Sequence, residues 1–177
     1  SGALGSGVER VLINAGAVLE LQDNITLSNS FTLNGTGIGS TGAIRNVSGD
    51  NTLSGAVTLA SVSAIGITAG TLTISGSLIG GYDLTKLGTE SLTLSGSNTH
   101  SGVTTISAGT LTLGKSDVFE NSASLTISGG TFDIGAFSDT VGAVTLSAGS
   151  ITGTSGVLTG SSYEITNASG TTTISAI

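Results

Sequence analysis

The sequence predicts an all-β chain wound as a parallel β-helix, a β-solenoid of about 18–21 residues per coil. Three observations carry this. First, one short template recurs: INAGAVLEL (13–21), ITAGTLTIS (67–75), ISAGTLTLG (106–114), ISGGTFDIG (127–135) and LSAGSITGT (146–154). The central glycines, Gly16, Gly70, Gly109, Gly130 and Gly149, fall three, two, one and one steps apart when the step is about 20 residues. A step of that size with short strands and small corners marks stacked coils. Second, apolar residues alternate with Thr and Ser at period two, the strand period. Third, the 177 residues contain 29 Gly and no Pro, and no stretch has the helical periodicity of an amphipathic helix. A ladder of stacked strands excludes proline, because each missing N–H removes a hydrogen bond.

The elements follow in order. Ile13, Ile67, Ile106, Ile127 and Leu146 stand three residues before the template glycines and are expected to form one interior column. Leu72, Leu111, Phe132 and Ile151 stand two residues after, and Ile74, Leu113 and Ile134 four after; Gly153 weakens the last copy. The first copy carries one extra residue, which puts its apolar pair at Leu19 and Leu21; a bulge or a slightly wider corner would absorb it. Residues 24–35 predict strands at Ile25–Leu27 and Phe31–Leu33, and the Gly-rich 36–51 one weak strand at Ala43–Val47. Residues 52–65 again alternate. The stretch 80–114 predicts strands at Leu92–Leu94, Val103–Ile106 and Leu111–Leu113. KSDVFENS (115–122) breaks the pattern and predicts a protruding loop, with a short helical turn. Three short strands, Val157–Leu158, Tyr163–Ile165 and Thr172–Ile174, close the chain. No linker divides it, so residues 1–177 are expected to form one solenoid domain of roughly nine coils.

Composition narrows the function classes. Charged residues are 8% and aromatics 3%, so Ser, Thr, Asn and Gly must supply the surface. The net charge is −7, and the four bases Arg10, Arg45, Lys86 and Lys115 are scattered singly, which leaves no footprint for nucleic acid. No apolar run reaches the roughly 18 residues of a membrane-spanning helix. The absence of Cys removes disulfides and thiolate metal sites. The sequence has no initiator Met, which predicts a processed piece or an excerpt of a longer chain.

No catalytic, cofactor-binding or metal residue is assigned. His100 is the lone histidine; its neighbours Asn98, Thr99 and Ser101 supply neither a triad nor a ligand set, and it is expected to be an inert surface residue at a corner. The carboxylates are Glu9, Glu20, Asp23, Asp50, Asp83, Glu90, Asp117, Glu120, Asp133, Asp139 and Glu164. Glycan-cleaving solenoids need clustered acids or a base beside calcium. Asp133 with Asp139 across a corner, and Asp117 with Glu120 in one loop, are the pairs that could meet; solvated corner acids are the simpler reading. GGTFDIG puts its Asp one place too early for the calcium-binding nonapeptide. Tyr82 and Tyr163 lie too far apart in sequence for a glycan platform, and the four Phe read as core or corner plugs. Thr-x-Thr ladders of the ice-binding kind occur at 71–73, 110–112 and 171–173, with intervening coils that lack them. The sequons at Asn24, Asn34, Asn46 and Asn167 are expected by chance in a chain of this composition.

LTKLGTESLTLSGSNTHSGVTTISAGTLTLG (84–114) resembles the autotransporter-associated β-strand repeat, or passenger-associated transport repeat, which reads approximately LTKxGxGTLTLSGxNTYSGxTTIxxGTLxLG. The chain departs at Glu90, where the family favours Gly, and at His100, where it favours an aromatic. The resemblance implies a right-handed parallel β-helix in the exported passenger of a bacterial surface or secreted protein, with no enzymatic activity and no cofactor. It makes the segment a stalk, spacer or filament block; an adhesive passenger that binds host or matrix glycans, or a glycan-degrading β-helix, are the alternatives. Both ends, SGALGSGVERVLI and TTTISAI, read as ordinary coil without a cap, so head-to-tail stacking on further copies or adjacent repeats is expected.

Overall fold

The computed structural model describes residues 4, 9–167 and 173–174. Their strands are all paired in parallel and join one continuous sheet that winds around a single apolar axis. The shaft has three faces. The first holds Arg10–Ile13, Ser30–Gly35, the start of Val57–Ile67, and Leu78–Ile79. The second holds Leu19–Leu21, Ile44–Asn46, the end of Val57–Ile67, Leu84–Leu87, Thr104–Ile106 and three later levels. The third holds Thr26–Leu27, Asp50–Leu53, Thr71–Ile74, Ser91–Leu94, Thr110–Leu113, residues 131–133 and 150–152, and Thr173–Ile174. The described residues complete about eight turns, against the nine expected. The difference comes from longer coils early in the chain.

Register gives the coil length directly. Leu84 pairs with Thr104, Thr104 with Leu125, and Leu125 with Val144, each partner one expected step further along the chain. Phe31, however, pairs with Val57 and Leu19 with Ile44, and both steps are clearly longer. The regular step therefore fails for this one coil. Residues 36–41, with a 3₁₀ turn at Ile38–Ser40, stand out from the wall as the extra length. No α-helix occurs among the described residues, and hence none long and apolar enough to cross a membrane.

The interior column is partly as expected. Ile106, Ile127 and Leu146 stack in register and are fully buried. The next residues down are Lys86 and then Ile65, not Ile67. Five residues separate Ile65 from Thr71 but three separate Ile106 from Thr110, so aligning the glycines slides Ile67 past its column. Ile13 lies on the first face, where it pairs with Leu33. The 13–21 copy thus spans a different corner from the others, and its extra residue falls in that corner, between Ile13 and Leu19. Each fully buried Leu, Ile or Phe contributes roughly 1.5–3 kcal/mol, and the columns carry one such residue at nearly every level.

Corner glycines answer two different demands. Gly109 has φ +64, and a Cβ there would lie 2.5 Å from the carbonyl oxygens of Glu90 and Gly88. Gly130, in the related ISGG corner, does not have positive φ; there a Cβ would press 2.6 Å from the Gly109 carbonyl and the Ile106 side chain. One corner needs a left-handed backbone as well as space, the other space alone.

The 115–122 segment corrects the expectation of a protruding loop. Val118 and Phe119 are buried in the core, and the Asp117 N–H donates to the Ser138 carbonyl of the next coil (3.0 Å). The stretch is irregular but belongs to the wall. The Thr172 end of the last expected strand, the 171–172 part of the TTT motif, and both chain ends invoked for stacking lie outside the described residues.

Candidate functional site

Alternation forces some polar residues inside, and their chemistry is committed to the backbone. Lys86 is the extreme case. Leu84 and Lys86 point inward and Thr85 outward, so the lysine occupies the column between Ile65 and Ile106 and is fully buried. Its ammonium lies within bonding reach of four carbonyls: Gly88 (2.7 Å), Ala108 (3.0 Å), Leu87 (3.2 Å) and Glu90. With three hydrogens it satisfies three at a time. Burial lowers its pKa to about 8, and the Glu90 charge pulls the other way. It pins the 87–90 corner to the coil above. Sequence reading counts it as one scattered surface base; the signal that would have found it is its place in the inward half of the alternation.

His100 also contradicts its expected place. It is fully buried, with Nε2 2.8 Å from the Thr104 hydroxyl and its ring tilted 58° against Phe119 at 6.1 Å. Phe119 in turn meets Phe132 edge-on at 6.0 Å. Nδ1 is buried without a partner. The tautomer that suits this site carries its proton on Nε2, donating to Thr104, because a bare lone pair costs less than a bare N–H. Protonating Nδ1 would bury an unpaired N–H and a charge together. Burial accordingly lowers the pKa to about 4, with Asp83 opposing.

The two acids that could meet do separate work. The Asp139 carboxylate is buried and accepts the N–H groups of Val118 (2.8 Å) and Phe119 (3.1 Å) from the previous coil. Desolvation raises its pKa, and those N–H groups lower it. Asp133 stands on the outer side of the third face and accepts from Gly135 N–H (3.0 Å) and the Thr152 hydroxyl (3.3 Å). Asp117 and Glu120 are both exposed. Asparagines cap other coils: Asn98 Oδ1 accepts from Leu78 N–H (2.8 Å), and Asn51 Oδ1 accepts from Ile25 N–H (2.8 Å). Asn51 also donates to Asn46 Oδ1 (2.6 Å), so the Asn46 sequon is buried. Glu20 and Arg45 pair at 2.8 Å on adjacent coils; as an exposed pair this is worth at most about 1 kcal/mol. Among the described residues no group of three or more metal-ligating side chains converges. Tyr82 and Tyr163 are half exposed, and Tyr163 is tied to its own strand, its hydroxyl accepting from Gly160 N–H (2.7 Å).

The outer side of the third face is the most regular surface. Thr26, Thr52, Thr73, Thr93 and Thr112 pair directly, one per coil, in an unbroken column. Beside it run Asp50, Thr71, Ser91, Thr110, Thr131 and Ser150. The coil between the two Thr-x-Thr pairs carries Ser91 and Thr93 in the same register, so three successive coils present hydroxyls in both columns, bounded by Asp50 beside Thr52 and by Asp133 beside Thr131.

Residues 84–113 match the family model of the passenger-associated-transport-repeat. No curated protein and no solved structure matches the chain.

Proposed function

We propose that this segment is a non-enzymatic section of shaft in a bacterial surface or secreted solenoid: a stalk, spacer or filament block that stacks end to end with adjoining repeats or further copies. The observation that carries the reading is what the buried polar groups do. Lys86, Asp139, Asn51 and Asn98 each make at least one hydrogen bond to the backbone of a neighbouring coil. Such groups hold coils in register against shear. The match at residues 84–113 supports an exported passenger, and parallel ladders along one axis suit a load-bearing rod. Electron microscopy of the native material should show rods or filaments of constant width. Discrete particles without rods, or saturable binding of the isolated segment on a glycan array, would replace the shaft by an adhesive passenger; turnover of a glycan that is lost on Asp139→Asn would make it an enzyme.

A further inference from the structure

We infer that the third face is an ice-binding surface, a function independent of the shaft role. Four observations converge on ordered water as the occupant. The face carries two outward columns one strand-residue pair apart, over at least five successive coils. Between Asp50 and Asp133 no outward residue of these columns is charged or aromatic: they are Thr52, Thr71, Thr73, Ser91, Thr93, Thr110, Thr112 and Thr131. The hydroxyls of Thr52, Thr73, Ser91, Thr93, Thr110 and Thr112 have no hydrogen-bond partner among the described residues. Only the margins are tied up, Thr71 to Asp50 (2.8 Å), Thr131 to Ser150 (3.0 Å) and Thr152 to Asp133 (3.3 Å). Finally, threonine is stiff at χ1, so hydroxyl and methyl are held in fixed positions with little entropy left to lose.

The lattice this makes can be compared with ice. Stacked strands repeat every ~4.8 Å, and alternate residues along a strand every ~6.6 Å. In ice each oxygen has four tetrahedral neighbours at about 2.75 Å, which sets second neighbours about 4.5 Å apart and the repeat along the hexagonal axis at about 7.3 Å. The mismatch along the column accumulates to about 1 Å over the five threonines, less than half a hydrogen-bond length. A sugar polymer would be held by aromatic platforms or charged hydrogen-bonding groups, and this face offers neither. The chemistry is that of alternating methyls and hydroxyls at near-ice spacing, where the methyls order the first water layer and the hydroxyls anchor it.

The test is the shape of a single ice crystal grown in the purified segment, with thermal hysteresis read on the same crystal. The wild-type protein is expected to facet the crystal and hold its growth over a measurable temperature gap. Thr93→Tyr with Thr112→Tyr should abolish both by lifting the face off the lattice, and Thr73→Tyr, on another coil, should do the same alone. Thr105→Tyr, in the outward column of the second face beside Thr85 and Thr126, should keep them. Far-ultraviolet circular dichroism of each variant should match the wild type. An unfaceted disc with the wild-type segment overturns the inference. So does equal loss in Thr105→Tyr, or retention of microcrystalline cellulose or chitin binding by a segment that leaves ice unshaped.

Discussion

Acidification should weaken this solenoid through one ring. His100 is held at a pKa of about 4 in the folded chain, against an ordinary 6.5. The folded state therefore resists a proton that the unfolded chain accepts readily. Where the unfolded state binds more protons, stability rises with pH. The contribution is fully present above pH 6.5 and is lost as pH falls toward 4. Linkage puts the loss at about 2 kcal/mol by pH 5 and about 3 kcal/mol by pH 4. Other acids titrate over the same range, so the clean readout is a difference. His100→Phe keeps an aromatic ring against Phe119 and cannot titrate. It forfeits the Thr104 hydrogen bond, a pH-independent offset of about 1 kcal/mol. Urea unfolding of both proteins at intervals from pH 7.5 to pH 4.5 gives the two stability curves. The wild type should start level with or above the variant and lose about 2 kcal/mol relative to it by pH 5. Parallel curves would refute the argument, because they would mean that His100 reaches water or an acceptor when charged.

Further outcomes follow from the same packing. Ile106→Asp should cost about 3–5 kcal/mol in chemical unfolding by burying an unpaired carboxylate, while Thr112→Ser, on the outside of the next strand, should change stability by less than about 0.5 kcal/mol. Lys86→Met should destabilise by about 2–4 kcal/mol, since it strands several buried carbonyls at once. Hydrogen exchange should locate that loss at residues 87–90 and 108. Gly109→Ala should lower the melting temperature, because it meets both a left-handed φ and a carbonyl at 2.5 Å. Gly81→Ala, whose new methyl would find nothing closer than 3.9 Å, should leave the melt unchanged.

What the sequence determined by itself was the coil. A period-two alternation states which side chains face in, and a Gly corner that recurs about every 20 residues states that strands return to the same place. Those are local properties of backbone and side chain, so Ile106, Ile127 and Leu146 could be placed in one column from spacing alone. Tertiary structure decided which corner each template spans and what occupies the columns between templates. Ile13 and Ile67 match the template but sit elsewhere, because corner length is set by packing against the coil below and varies by two residues at no cost to the local pattern. Residue type also misleads where alternation and chemistry disagree. Lys86, His100 and Asp139 read as surface polar residues by composition, yet stand at inward positions. They are tolerated there because corner carbonyls of residues 87–90 with Ala108 bond Lys86, the Thr104 hydroxyl bonds His100, and N–H groups of the previous coil bond Asp139. The Asp139 partners Val118 and Phe119 and the Lys86 partner Ala108 lie roughly one coil away along the chain, so no local window of sequence shows them. The hydroxyl face was hidden for the same reason: Thr52, Ser91 and Thr93 join Thr73 and Thr112 only when the register between coils is known.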